Sequence, residues 1–360
     1  CVSTSATGGG RYEEGLRRRP PKLSWTRGDS VRTPELATSS TRSYAGDMLR
    51  HRLFFGAILI ATLVGLVYAD SRLAESAAAH AAPRLLQRLG LLTLDGVLIA
   101  AVVVVLVVVG TRELHGLLTD AGHAPLYVWP ILANVALVLT PFVAANGLPA
   151  DAAALHAADT AGTLTVLMVA FIGTAVGVAA RRKTAGATAA IGTTLFMIFY
   201  LGVLPQFVLR LRVFGPVGSA WLLLYFIATV KVCDIGAYFT GLAFGRTPLI
   251  AWLSPKKTIE GLAGGVAASV LFAVAVPWLA GRIVGSPGSP DTRFPDLLTA
   301  AIFGATMALV GQAGDLLESL IKRDARAKDS ARAIPAFGGA LDLMDSPLLA
   351  APVACWMLLQ

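Results

Sequence analysis

Charge is scarce in this sequence: only 14% of its 360 residues are Asp, Glu, Lys or Arg, against the roughly 25% of a typical soluble chain. The shortfall argues against an ordinary water-soluble domain. Cysteine is scarce too, and Cys1, Cys233 and Cys355 stand too far apart to suggest a metal-type pair or a disulfide framework. The sequence has no H-E-x-x-H, and His51, His80, His115, His123 and His156 are scattered and read as surface histidines. It also lacks a G-x-x-x-x-G-K-[ST] phosphate loop, a nucleophile elbow and any Ser/His/Asp arrangement. ATPases of the phosphate-loop type and serine hydrolases are therefore unsupported. Composition excludes collagen, coiled coil and wholesale disorder.

What the chain has is apolar length. It is 55% hydrophobic, with a mean hydropathy of +0.68. Apolar runs occupy Leu53 to Ala69, Leu91 to Gly110, Tyr127 to Gly147, Thr160 to Ala180, Thr184 to Leu204, Val213 to Val230, Gly261 to Gly281 and Leu297 to Gly314. Each approaches the ~20 residues a helix needs to cross a ~30 Å hydrocarbon layer. A ninth run, Pro347 to Gln360, is short, so it either draws residues from the preceding segment or stops early. The expected fold is all-α: a polytopic integral membrane protein of about nine transmembrane helices.

Residues 1–47 are rich in Arg, Ser, Thr and Gly, with no apolar periodicity and no h-region leading to a cleavage site. They read as a disordered basic tail or as sequence upstream of a start at Met48. Residues 48–212 then hold about five N-terminal helices, and 213–360 form a C-terminal catalytic region. With the tail in the cytoplasm and sides alternating, the cytoplasmic segments hold 23 Lys and Arg and the outer loops 7, the sense that the positive-inside rule requires. The basic residues lie between apolar runs, so the net charge of +8 points to no nucleic-acid partner. This orientation puts both polar motif segments on the cytoplasmic side.

Charged groups at membrane depth are costly unless paired, hydrated or bound to an ion, and here they form two clusters. The first holds Lys231 and Asp234, three apart on one helix face, then Tyr238, Arg246, Ser254, Lys256, Lys257 and Glu260. Ser254-Pro255 reads as a turn or helix start. Gly241 and Gly245 read as a helix-packing face rather than a phosphate loop. The second holds Gln312, Asp315, Glu318, Ser319, Lys322, Arg323, Lys328, Asp329, Arg332, Gly338, Gly339, Asp342 and Asp345. Asp315, Glu318 or Ser319, and Lys322 share a helix face, as do Asp342 and Asp345.

Carboxylates converging beside several cations match Mg²⁺-assisted phosphoryl or nucleotidyl transfer. Oxygen ligands hold the metal, and the cations neutralise charge on the leaving phosphate. A Gly338-Gly339 pair lets backbone approach a phosphate closely.

These residues resemble the phosphatidate cytidylyltransferases, or CDP-diacylglycerol synthases. Ser319-Leu-Ile-Lys-Arg323, Lys328-Asp329, and Ile334-Pro335-Ala-Phe-Gly338-Gly339-Ala-Leu-Asp342-Leu-Met-Asp345 are similar in order and spacing to that family's long C-terminal signature. Asp234-Ile-Gly-Ala-Tyr238, Ser254-Pro-Lys-Lys-Thr258 and Gly314-Asp315-Leu-Leu-Glu318-Ser319 look like its upstream motifs. Phe337 stands where a His is usual and Leu343 where an Arg is usual. Two potential phosphate contacts are thereby lost, but the carboxylates, lysines and glycine pair remain.

The resemblance implies catalytic roles for Asp315, Lys322, Arg323, Lys328, Asp329, Asp342 and Asp345. It implies Mg²⁺ held by Asp315, Asp342 and Asp345, with Asp329 an alternative to Asp345 and a second cation an option. Substrate contacts would come from Asp234, Tyr238, Ser254, Lys256, Lys257, Ser319, Gly338 and Gly339. The implied partners are CTP, phosphatidic acid in the bilayer, membrane lipids and a second copy of the chain as a homodimer. The implied setting is a bacterial inner membrane. Two other readings share parts of this pattern: a CTP-dependent membrane lipid kinase acting on a polyprenol or phytol, and a secondary transporter, which one-sided clustering of charge disfavours.

Overall fold

The computed structural model describes residues 58, 60–75, 94–147, 152–215, 220–283, 296–327, 330 and 338–359, all within the unit His51–Gln360. The basic tail, Lys328, Asp329, Arg332 and Phe337 lie outside the described residues.

The described residues form a helical bundle. Its elements are α1 (60–75), α2 (Val97–Asp120), α3 (Val128–Gly147), α4 (Ala152–Ala179), α5 (Ala187–Ile198), α6 (Leu204–Val213), α7 (Ala220–Phe244), α8 (Ile259–Ile283), α9 (Leu297–Asp324) and α10 (Ala340–Leu358). A single π-turn, Phe199–Val203, joins α5 to α6 in one continuous span. Eight helical spans among the described residues are long and apolar enough to cross a membrane. The first expected span is helical over 60–75, and the rest of it lies outside the described residues apart from residue 58. α4 turns Leu164, Met168, Phe171 and Val176 outward, as a helix solvated by lipid does.

Several boundaries differ from the sequence reading, and two of them matter most for the site. The sixth span does not stop at Val230 but continues to Phe244, so Lys231 and Asp234 are interior to a spanning helix. The last span begins at Ala340, taking Asp342 and Asp345 into α10. Window hydropathy falls at each charged residue and ends the run early, while the helix continues because backbone hydrogen bonding at membrane depth has no alternative partner.

Ser254-Pro255 is not a helix start. Ser254–Thr258 forms β2, paired antiparallel with β1 (Pro248–Ile250) in a short hairpin between α7 and α8. Glu260, in the first turn of α8, holds the hairpin base by accepting from Arg246 N at 3.1 Å and Thr247 N at 3.1 Å. The seam between α7 and α8 is made of small residues: a Cβ on Gly236 would stand 2.6 Å from Ala268 Cβ, and one on Gly241 would stand 3.6 Å from Gly261 Cα. Gly241 packs α7 against α8 as read, whereas Gly245, read with it, lies past the end of α7 against Thr258 of β2.

At the end of the bundle near the start of α2, Arg212 Nε lies 2.8 Å from Asp70 and its Nη2 lies 2.7 Å from Asp95, tying α6 to α1 and to the entry of α2. Burial pushes the Asp95 carboxyl above its ordinary range, against the pull of Arg212.

Candidate active site

The buried stripe of α9 reads Ala300, Phe303, Gly304, Met307, Ala308, Gly311, Gly314, Glu318, Lys322. The same helical period that places apolar and small residues inside carries Glu318 and Lys322 inside after them. α10 does the same with Leu341, Met344, Asp345 and Leu348. The two helices meet at Gly314, where a Cβ would collide with the carbonyl of Asp345. The bare backbone there brings α10 close enough to set Asp345 beside Asp315 and Glu318.

Ligand-type oxygens of these three carboxylates all lie within 4.8 Å of one another. Three acids so close repel unless cations accompany them, and three lysines from different elements do. Lys322 Nζ is 2.7 Å from Glu318 Oε2 and also contacts Asp342 Oδ1. Lys257, on β2, reaches Asp315 Oδ2 at 2.5 Å. Lys231 on α7 bonds Asp234 at 3.1 Å and lies within electrostatic reach of Asp315 and Asp345.

The donor set fits a hard divalent cation. It is all oxygen, and two oxygens bound to one Mg²⁺ or Ca²⁺ lie at most roughly 4–5 Å apart. Glu318 Oε1 is buried with no hydrogen-bond partner among the described residues, and an acceptor left so is costly unless something positive faces it. Tyr200, from the π-turn, adds a buried hydroxyl that also lacks a partner among the described residues, within electrostatic reach of all three acids.

Asp342 is placed differently from Asp315 and Asp345. Its Oδ2 accepts from Gly339 N at 2.7 Å and Ser330 Oγ at 2.7 Å, and its Oδ1 faces Lys322. It thus closes the start of α10 rather than joining the trio. Gly338 enters that turn at φ +89°, a left-handed conformation, and a Cβ there would meet Asp342 Oδ2 at 2.6 Å.

The other sequence-derived residues scatter around this centre. Arg323 donates to Leu253 O at 3.4 Å and Ala327 O at 3.2 Å, bracing the hairpin against the end of α9. Ser319 and Ser254 are half-buried, Lys256 is exposed, and Tyr238 faces outward against Phe239. Lys328 and Asp329 fall outside the described residues. An apolar groove along α1 is lined, among the described residues, by Ile60, Val64, Tyr68 and Trp221, and adjoins Arg72 and Glu75 further along the helix.

Two acids carry more than the sequence reading gave them. Glu318, read there as an alternative to Ser319 on the helix face, is a full member of the trio. Glu113, on α2, was missed: it accepts from Ala340 N and Leu341 N, both at 3.0 Å. Its one signal is an acid three residues past the apolar run that ends at Gly110, in Thr111-Arg-Glu113-Leu-His115.

Known proteins bear directly on this arrangement. The pattern of the cytidylyltransferase family matches residues 84–360. A phosphatidate cytidylyltransferase of Synechocystis is 30% identical over 289 residues, covering 73% of this chain and 89% of the relative. That of Mycobacterium bovis is 30% identical over 278 residues, 72% of this chain and 79% of the relative. The Haemophilus influenzae protein of the same name is 37% identical over 166 residues, 44% and 55% of the two chains. The match takes in every element from α2 to α10, the trio and its lysines included, and the chain belongs to the cytidylyltransferase family.

Proposed function

We propose that this chain is a CTP:phosphatidate cytidylyltransferase, forming CDP-diacylglycerol and pyrophosphate from CTP and phosphatidic acid. The observation that carries the reading is the carboxylate trio Asp315, Glu318 and Asp345, set among lysines from β2, α7 and α9 in a membrane-spanning bundle. The relatives' names supply the substrates.

Asp315, Glu318 and Asp345 would hold Mg²⁺, which when bound supplies charge neutralisation for a nucleoside triphosphate. Lys257 and Lys322 are already paired to carboxylates and are freed to meet phosphate oxygens as the acids find another counter-charge. The phosphate of phosphatidic acid is ionised at neutral pH, so no side chain has to act as a strong base. The protein's work is to orient: the lysines steer the triphosphate, and α7 to α10 keep the lipid's acyl chains in the bilayer while its headgroup reaches the acids. Lys328 and Asp329 belong to the same proposal through their place in the signature.

The charge distribution supports a cytoplasm-facing site in a bacterial inner membrane. Arg181, Arg182, Lys183, Arg246, Lys256 and Arg323 lie near the helix ends on the side of Lys257 and Lys322. A homodimer is part of the same proposal, tested by cross-linking in the membrane. The activity is tested by incubating the purified full chain with labelled CTP, phosphatidate and Mg²⁺ and identifying the lipid. CDP-diacylglycerol with pyrophosphate supports the reading. A phosphorylated lipid with CDP would assign a lipid kinase, and neither product would overturn both.

A further inference from the structure

A helix start leaves backbone N–H groups unsatisfied and carries the positive end of the helix dipole. At α10 these donors open beside Asp342 and Lys322, where an incoming phosphate would be attracted. Gly339 N, Ala340 N and Leu341 N are already taken. Glu113 Oε1 accepts from Ala340 N at 3.0 Å, and Oε2 accepts from Leu341 N at 3.0 Å. The hydroxyl of Ser330 lies 3.3 Å from Glu113 Oε2 and 2.7 Å from Asp342 Oδ2. A hydroxyl has one proton to give, and the shorter contact gives it to Asp342, while Glu113 Oε2 is held by Leu341 N.

From there the connection runs inward without a gap. Asp342 contacts Lys322, and Lys322 contacts Glu318 of the trio. Gly339 fits the same account: a Cβ on it would collide with Ser330 Oγ and with the Glu113 carboxylate. The second glycine of the pair is therefore bare because a carboxylate from α2 approaches it, and no phosphate is needed to explain it.

We infer that Glu113 is a positioning residue: by clamping the first turn of α10 together with Ser330, it sets Asp342 on Lys322 and, through Lys322, the orientation of Glu318. It also follows that Ala340 N and Leu341 N are not open to the nucleotide's phosphates while Glu113 holds them. α2 belongs to the part of the chain the sequence reading left outside the catalytic region, and this contact joins it to the site.

The test uses the full chain in detergent or nanodiscs, with Glu113→Gln, Glu113→Ala and Ser330→Ala compared with wild type. Glu113→Ala lowers kcat for CDP-diacylglycerol formation by about 10–100-fold while KM for CTP stays within about 3-fold. Ser330→Ala gives a smaller loss, and Ser330→Thr, which keeps the hydroxyl, restores most of it. Hydrogen exchange at the amides of Ala340 and Leu341 speeds up in both Glu113 variants. Unchanged kcat, or unchanged amide exchange, overturns the assignment. So does a fall in KM for CTP with kcat kept, which would mean that the nucleotide competes with Glu113 for those N–H groups. Should Glu113→Ala fail to fold, Glu113→Gln and Ser330→Ala carry the same readouts. The kinetic arm rests on the activity proposed above; a wild type that makes no CDP-diacylglycerol overturns that activity, and amide exchange then decides the clamp by itself.

Discussion

Lys322 and Glu318 stand one turn apart on α9, ammonium to carboxylate at 2.7 Å, with side chains only 11% and 2% exposed, and the same ammonium reaches across to Asp342 on α10. An ion pair this far from water adds little net stability, but removing one partner strands the other, which costs about 3–5 kcal/mol. Lys322→Met therefore lowers the unfolding midpoint of the detergent-solubilised chain sharply. The double variant Lys322→Met with Glu318→Gln recovers part of the loss, because Glu318 is no longer a lone buried charge, while Asp342 still lacks its cation and keeps only Gly339 N and Ser330. Neither variant recovers turnover. An unchanged midpoint in Lys322→Met would show that Glu318 has another counter-charge.

Asp345 and Asp342 are three residues apart on α10 yet are predicted to fail differently. Asp345 shares the trio with Asp315 and Glu318, whereas both oxygens of Asp342 are engaged by Gly339 N, Ser330 and Lys322. Asp345→Asn lowers affinity for Mn²⁺, followed by electron paramagnetic resonance, by about 10–100-fold. Asp342→Asn lowers turnover by at least about 100-fold, near 2.7 kcal/mol of transition-state stabilisation, and leaves Mn²⁺ affinity close to wild type. Loss of Mn²⁺ affinity in Asp342→Asn would return Asp342 to the metal ligands.

Much of this was legible in the sequence because membrane chains make charge conspicuous. Asp315, Lys322, Asp342 and Asp345 stood out as acids and cations beside apolar runs, and helical spacing put Asp315 and Lys322 on one face. The spacing could not say which of Asp342 and Asp345 turns inward to Asp315, because that depends on the α9–α10 approach at Gly314. Of the two readings of Ser254-Pro255, a turn or a helix start, the helix start fails because a Ser-Pro step serves equally well at a strand entry just after a turn, and the hairpin is fixed by Glu260 from the next helix. Glu113 escaped because its partners lie 227 and 228 residues further on, and no local pattern carries that information.

The α7–α8 seam makes a packing prediction. Gly236 lies two residues from Asp234, and a methyl added to it would press on Ala268 Cβ at 2.6 Å and on the Gly264 carbonyl at 3.2 Å. Gly236→Ala thus costs about 1–3 kcal/mol through overpacking and lowers turnover as Asp234 and Lys231 shift. A methyl added to Gly192 on α5 would meet nothing within 4 Å, so Gly192→Ala should be neutral or stabilising by up to about 1 kcal/mol. Thermal unfolding of the two variants side by side is the check, and equal effects would mean that the seam is looser than described.

Asp70 is fully buried, and its two oxygens are spent on Arg212 Nε at 2.8 Å and on Leu98 N at 2.8 Å. Leu98 and Glu113 are 15 residues apart on α2, which at 1.5 Å per residue puts this network about 22 Å along the helix from the α10 clamp. Arg212→Met leaves Asp70 without its cation and costs about 3–5 kcal/mol, while turnover per folded molecule stays within about 2-fold because the trio is untouched. Arg212→Lys recovers only part of the stability, since one ammonium cannot repeat the divided contact that the guanidinium makes with Asp70 and Asp95. Arg212→Met combined with Asp70→Leu recovers more. Turnover that falls while the unfolding midpoint holds would mean instead that this remote ion pair is coupled to the site through α2.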